Sequence, residues 1–165
     1  MPQCLKLKLD SIERGREHLT ILEGPYRGQT ASIKLKDNGD SYLSTDIQHK
    51  SMARLKYSIS KRKLITDKDE YQATDHPDSP WKKGLYDIEI PDYPHALGGR
   101  YEDSAVRAKT WFRIGHEGER YLHTGRVSLG CITITEVKHW DEIYNKLIKA
   151  RKGDSISVGV LEIVD

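Results

Sequence analysis

The amino-acid sequence predicts a mainly β (α+β) fold: a β-sandwich or barrel with one main helix, preceded by a small antiparallel β unit. Apolar residues at alternate positions recur in short stretches along the chain, which is the pattern of half-buried strands. Gly, Pro, Asn and Asp separate these stretches and predict turns. One substantial stretch, Trp140–Ile148, instead has apolar residues spaced as on one face of a helix.

The first part of the chain predicts three strands, at residues 5–9, 18–22 and 30–35. Leu alternates with Lys in the first of them, and an Asp-Asn-Gly-Asp string at residues 37–40 predicts a tight hairpin turn after the third, with Tyr42 and Leu43 continuing the unit. The sequence therefore predicts a small antiparallel β unit over residues 1–52 and a main domain over residues 53–165.

The main domain is predicted to contain most of the strands and the helix. Residues 67–81 are acidic, polar and contain Pro, so we predict a loop there. Thr135 is a candidate N-cap of the helix, and the basic residues before Gly153 favour its C-terminus. The predicted strands of this domain are residues 55–59, 64–65, 84–90, 110–114, 120–123, 131–135 and 155–164.

The composition restricts the possible partners. Net charge is only +2 and both signs are interspersed along the chain, so no strong field for a polyanion is expected. The two cysteines, Cys4 and Cys131, do not suggest a disulfide framework, and no His, Cys and Asp cluster has the spacing of a zinc site. We therefore expect no metal and no cofactor.

The N-terminal residues alternate apolar and charged side chains and have no apolar core of signal-peptide length, and no transmembrane span is predicted. We expect synthesis as a soluble cytoplasmic product. Any action in the periplasm or cell wall would then require an export route that reads no N-terminal signal.

Residues 120–135 contain the candidate reactive groups. His123 lies on one apolar run, and Cys131 opens the next, eight residues later. A thiol attacks as thiolate, and a neighbouring imidazole can take its proton and return it to a leaving amine. Gly130 lets a substrate approach the backbone N–H groups, which are candidate oxyanion donors. The pattern predicts a Cys/His acyl-transfer site; the alternative is a buried structural cysteine.

Other histidines offer a different base. His116 lies fifteen residues before Cys131 but in a Gly-bounded hairpin turn, so we favour His123 and keep His116 as the alternative. His95, in a Pro-flanked loop at residues 91–99, is interpreted as a surface residue at the rim of a cleft. A papain-like hydrolase places its Cys before its His, and the only His after Cys131 is His139, at the start of the predicted helix.

These motifs resemble those of the L,D-transpeptidase (YkuD-type) catalytic domain. The string Leu-His-Thr-Gly at residues 122–125 is similar to the family's hydrophobic-His-Gly signature, and Ser-Leu-Gly-Cys-Ile at residues 128–132 to its Ser/Thr-His-Gly-Cys motif. Residues 79–88 and 111–114 resemble the flanking strands, and the similarity covers roughly residues 55–165. Leu129 and Thr133 stand where the family usually has His and Arg or Asn.

The resemblance implies a substrate and a reaction. The substrate is the peptidoglycan stem tetrapeptide, and Cys131 attacks the carbonyl of its third residue, which releases the terminal D-Ala and leaves a thioester. His123 acts as base and then as acid. Water resolves the thioester in an L,D-carboxypeptidase reaction, whereas an amine resolves it in an L,D-transpeptidase reaction.

The resemblance also suggests secondary roles and partners. The backbone N–H groups of Gly130 and Cys131 are the expected oxyanion donors, and Arg126, Ser128 and Tyr121 are candidate substrate-binding residues. Relatives that are secreted as effectors suggest a secretion or immunity partner, with action at the cell wall.

Two further hypotheses assign this chain to a different functional class. One is a catalytically inactive cell-wall-binding or interaction module of the same fold. The other is an RNA-associated protein, because residues 23–33 weakly resemble a KOW motif. The near-neutral charge makes nucleic-acid binding the less favoured of the two.

Overall fold

The computed structural model describes residues 1–165 and confirms the predicted fold class. The chain is mostly β, with a nearly closed eight-stranded sheet, a three-stranded antiparallel sheet and one short α-helix. The elements are β1 (Leu7–Glu13), β2 (Arg16–Ile21), β3 (Thr30–Lys34), β4 (Lys50–Ser51), β5 (Ala53–Ser58), β6 (Lys63–Ile65), β7 (Glu70–Thr74), β8 (Gly84–Glu89), β9 (Phe112–Arg113), β10 (Tyr121–Thr124), β11 (Ile132–Ile134), α1 (Trp140–Ile148), β12 (Ala150–Arg151) and β13 (Ser157–Val164).

The large sheet has the strand order β8-β13-β5-β6-β7-β11-β10-β9. Its two edge strands meet through a bridge between Ile88 of β8 and Ile114, the residue after β9, so the sheet nearly closes on itself. Two neighbouring pairs, β13–β5 and β10–β11, are parallel, and the other pairs are antiparallel. Near-closure leaves little exposed sheet edge, which is the part of a sheet most prone to unwanted pairing.

The core lies inside this sheet and under α1. Apolar residues at alternate strand positions supply it, among them Leu122 of β10 and Ile132 and Ile134 of β11. Helix α1 contributes the face that the sequence predicts, and all five of its apolar residues are buried: Trp140, Ile143, Tyr144, Leu147 and Ile148. Burial of this apolar stripe stabilises the helix more than intrinsic propensity does.

The N-terminal strands β1, β2 and β3 form the small antiparallel sheet, as predicted. A buried ion pair links this part of the chain to the last part: Arg151 Nη2 lies 2.6 Å from Glu23 Oε1, and Nε lies 2.9 Å from Oε2. Lys6 N–H also donates to this carboxylate. The domain boundary at residue 52 stays a prediction.

Three local predictions differ from the structure. Residues 67–81 are not only a loop, because β7 lies within them and joins β6 to β11; its Tyr71 and Ala73 are buried while its Glu70 and Gln72 are exposed. No strand follows the turn at residues 37–40 until β4. Thr135 does not cap α1, because a 3₁₀ turn at Val137–His139 precedes the helix and the Thr135 hydroxyl donates to Gln72 O instead.

Candidate active site

The parallel pair β10–β11 carries the candidate reactive residues. In its register Leu122 lies beside Ile132, and His123 beside Thr133. Successive side chains of a strand point to opposite faces. Because Leu122 and Ile132 face the core, His123 and Thr133 lie on the other face of the sheet, together with Cys131, the residue that directly precedes β11.

His123 is buried and has a partner at each ring nitrogen. Its Nδ1 lies 2.8 Å from the carbonyl oxygen of Thr124, and its Nε2 lies 3.1 Å from the hydroxyl oxygen of Thr133. A carbonyl only accepts, so Nδ1 carries the proton and Nε2 accepts from Thr133. Burial lowers the pKa of His123 to about 4, and the imidazole is therefore neutral at neutral pH with its basic nitrogen directed at β11.

Cys131 is half-buried, and its sulfur accepts a hydrogen bond from the backbone N–H of Tyr121 at 3.4 Å. Burial raises the pKa of the Cys131 thiol, and the Tyr121 N–H and the positive charge of Arg120 oppose that rise. The sulfur makes no hydrogen bond to His123, whose Nε2 is bound to Thr133. The resting pair is thus a thiol and a neutral imidazole rather than an ion pair.

The turn before Cys131 is organised by Ser128. Its Oγ donates to the carbonyl oxygen of Cys131 at 2.6 Å and accepts from the N–H of Gly130 at 3.2 Å. Gly130 has φ +121°, a conformation that other residues rarely adopt. Of the two predicted oxyanion donors, the Gly130 N–H is therefore already bound to Ser128, whereas the Cys131 N–H makes no hydrogen bond within the protein.

Arg126 lies on the exposed side of the same turn. Its backbone N–H donates to the hydroxyl of Tyr101 at 3.1 Å. Its side chain lines a cleft of about 560 Å³ together with Arg100 and Lys138. Cys131 is not among the lining residues of that cleft, so the structure does not bring the Arg126 side chain and the thiol into one cleft.

The side chain of Tyr121 is hydrogen-bonded to a carboxylate. Its hydroxyl donates to Asp92 Oδ2 at 3.1 Å, and His95 Nε2 lies 2.9 Å from Asp92 Oδ1. Burial and the nearby Asp92 charge raise the pKa of Tyr121, so its hydroxyl stays protonated. Tyr121 thus connects a buried side-chain network to the N–H that contacts the sulfur.

Trp111 lies between two imidazoles. Its ring stacks on His95 at 4.2 Å with an interplanar angle of 4°, and on His123 at 4.2 Å with an angle of 20°. His95 is buried, in contrast to its interpretation as a surface residue. Sequence reasoning missed Asp92, which is distant from His123 along the chain and carries no motif. It placed Trp111 in a flanking strand but did not predict its stacking on His123.

His116, the alternative base, lies against β8. Its Nδ1 is 2.8 Å from Glu89 Oε1, and its Nε2 is 2.8 Å from Asp87 Oδ2. Hydrogen bonds to Glu89 and Asp87 raise the pKa of His116, which favours the imidazolium. An imidazolium with both N–H groups donating to carboxylates has no lone pair for a thiol proton, whereas His123 has one.

Comparison with known proteins gives only distant similarity. No family model and no curated protein matches the sequence. An L,D-transpeptidase from Mycobacterium tuberculosis H37Rv is 13% identical, with 98% of this chain and 77% of that chain covered and a TM-score of 0.47. L,D-transpeptidase 1 of Mycobacterium tuberculosis is 12% identical, with 99% and 84% covered and a TM-score of 0.46.

A third solved structure is more distant still. The L,D-transpeptidase (residues 123–326) from Xylanimonas cellulosilytica DSM 15894 is 11% identical, with 78% of this chain and 66% of that chain covered and a TM-score of 0.42. The helix of this chain is too short and too polar to be a membrane span.

Proposed function

We propose that the protein is a cysteine acyltransferase that acts on peptidoglycan stem peptides, as an L,D-transpeptidase, an L,D-carboxypeptidase or both. One observation carries the proposal: adjacent parallel strands place the Cys131 thiol and the basic nitrogen of a neutral His123 on the same face of the sheet. The L,D-transpeptidase-like strings at residues 122–125 and 128–132 supply the substrate class.

The reaction begins with loss of the thiol proton. As the Cys131 sulfur attacks the carbonyl of the third stem residue, its proton moves to Nε2 of His123, which must first release the Thr133 hydroxyl. The carbonyl π electrons move to oxygen, and an oxyanion forms. Collapse of this intermediate breaks the bond to D-Ala, which takes the proton from His123 and leaves as the free amino acid.

The thioester is then resolved by a second nucleophile. Water would give the tripeptide, and an amine of another stem would give a cross-link; His123 takes the proton of either nucleophile and returns it to the Cys131 sulfur. The carbonyl of Thr124, which accepts from Nδ1, keeps Nε2 as the basic nitrogen throughout.

A second candidate function is a catalytically inactive module that binds the cell wall or a partner. It is favoured by the resting state of the site, in which burial raises the pKa of the thiol and no hydrogen bond links the sulfur to His123. In this reading the strands and the turn at residues 128–131 persist for binding alone.

Purified tetrapeptide muropeptides separate these functions. Incubation followed by mass spectrometry should show loss of D-Ala, or formation of dimers, for the wild-type protein and neither product for the Cys131→Ala variant. Pull-down with isolated peptidoglycan sacculi reports binding independently. Binding by both proteins without turnover by either would support the inactive module and contradict the enzyme.

A further inference from the structure

The side chain of Arg120 lies beside the candidate nucleophile and has no role in the reaction as described above. Its guanidinium stacks over the ring of Trp81 at 4.7 Å, and its Nη2 donates to Ser79 O at 3.3 Å and to Ser79 Oγ at 3.0 Å. Nε and Nη1 make no hydrogen bond within the protein. The guanidinium is therefore held in place while two of its nitrogens keep free N–H groups.

Gly130 lies against this guanidinium at ordinary contact distance. A Cβ on Gly130 would stand 3.6 Å from Arg120 Nε and 3.7 Å from Nη2. Gly130 directly precedes Cys131, and Tyr121, which follows Arg120, donates its backbone N–H to the sulfur. Arg120 thus directly precedes β10 and contacts Gly130, two residues before β11. Its charge counteracts the rise in the pKa of Cys131.

The arrangement of the turn leaves one oxyanion donor missing. Oxyanion holes are commonly built from two N–H groups that converge on the developing charge. Here Ser128 Oγ already binds the Gly130 N–H, and the same hydroxyl is fixed by donation to the carbonyl of Cys131. Only the Cys131 N–H is left from the backbone pair that the sequence predicts.

We propose that Arg120 is a further catalytic residue, whose guanidinium supplies the second oxyanion donor at Cys131. The inference rests on the proposed function, because it requires a carbonyl carbon to be attacked by the Cys131 sulfur. As the S–C bond forms, the carbonyl π electrons move to oxygen, and the oxyanion accepts from the Cys131 N–H and from Arg120. The electron pair returns when the leaving group departs.

A guanidinium suits this role because it stays protonated and presents several donors in one plane. Hydrogen bonds between charged groups are roughly twice as strong as those between neutral groups. The stacking on Trp81 and the contacts with Ser79 fix the guanidinium before reaction, so little reorganisation accompanies the appearance of the negative charge.

Two chemical probes separate oxyanion stabilisation from thiol activation. p-Nitrophenyl acetate acylates a thiol through a tetrahedral oxyanion and releases p-nitrophenolate as its C–O bond breaks. Iodoacetamide alkylates the same thiol by displacement of iodide, without an oxyanion. Both rates are measured in a Cys4→Ser background, at the high-pH plateau of each variant, where Cys131 is fully thiolate and differences in its pKa no longer matter.

We expect Arg120→Gln to lower the plateau acylation rate about 100-fold, while the plateau alkylation rate changes less than about 3-fold. Arg120→Lys should lie between Arg120→Gln and the wild type, because an ammonium keeps the charge but loses the planar donor fork. Arg27→Gln, which alters an exposed arginine with no contact to the site, is the matched control and should change neither rate. Rates with Cys131→Ala are subtracted as background.

Equal loss of both rates in Arg120→Gln would overturn the inference, since a merely loosened site slows every reaction of the thiol. An unchanged acylation rate would overturn it as well. Circular dichroism verifies that each variant is folded, and Arg120→Lys provides the test if Arg120→Gln does not fold. Failure of the proposed function is a separate result: the wild type would then be acylated by the ester yet release no D-Ala from tetrapeptide.

Discussion

Burial of a neutral His123 makes the protein lose stability in acid. An exposed histidine in the unfolded chain has a pKa near 6.5, whereas burial lowers the pKa of His123 to about 4 in the folded protein. Between these pH values the unfolded state binds a proton that the folded state does not. The contribution of His123 to stability is therefore complete above pH 6.5 and is lost as the pH falls towards 4.

The size of the loss follows from the difference in pKa. A separation of about 2.5 units at about 1.4 kcal/mol per unit gives about 3 kcal/mol between pH 7 and pH 4. Urea unfolding at the two pH values measures the change in the free energy of unfolding for the wild type. The same measurement is made on His123→Gln, whose side chain does not titrate. Subtracting the change seen in this variant from the change seen in the wild type removes the contribution of the other acidic and basic groups.

We expect the wild type to lose about 3 kcal/mol more than His123→Gln between pH 7 and pH 4. His123→Asn serves as a second variant that does not titrate, in case the longer amide disturbs the stack on Trp111. A difference below about 1 kcal/mol in both comparisons would refute the buried, neutral imidazole, because His123 would then titrate almost as it does in the unfolded chain.

The remaining predictions concern the thiol, its neighbours and the ion pair that anchors the N-terminal unit. Cys131→Ala should abolish acyl transfer while changing the free energy of unfolding by less than about 2 kcal/mol, because the side chain is only half-buried; a collapsed denaturation midpoint would indicate a structural cysteine. Thr133→Val should raise the acylation rate by up to about 5-fold, because the hydrogen bond of about 1 kcal/mol to Nε2 of His123 no longer has to break; slower acylation would mean that the hydroxyl orients the ring. Arg151→Met should lower the free energy of unfolding by about 3–5 kcal/mol, because Glu23 becomes a buried, unpaired charge; an effect below about 1 kcal/mol in urea melts would contradict that account.

The strands and the helix that carry apolar periodicity could be predicted from the sequence. The face of α1 and the strands β2, β3, β8 and β13 follow directly from the spacing of their apolar residues. The strand β7 could not, because only Tyr71 and Ala73 mark its buried face and acidic, Pro-containing segments flank it. Its place between β6 and β11 is determined by tertiary pairing, which a local pattern does not record.

The candidate site, like the fold, was predicted from the sequence only in part. The sequence predicts strands at residues 120–123 and 131–135, and the structure has β10 and β11 as parallel neighbours, with Cys131 directly before β11. The side chains that contact His123 come from elsewhere in the fold. The Thr133 hydroxyl hydrogen-bonds to Nε2 of His123, and Trp111, the residue before β9, stacks on the imidazole ring. The spacing of residues along the chain does not predict these tertiary contacts. The contact between Arg120 and Gly130 was not predicted because it too depends on the tertiary fold.

The most direct test of the account is intact-protein mass spectrometry after brief reaction with tetrapeptide muropeptide and an acid quench. We expect a tripeptide adduct on the wild-type chain, located at Cys131 by peptide mapping, with release of one D-Ala for each adduct formed. The folded wild type with no adduct and no released D-Ala would contradict it, as would an equal yield of product from Cys131→Ala.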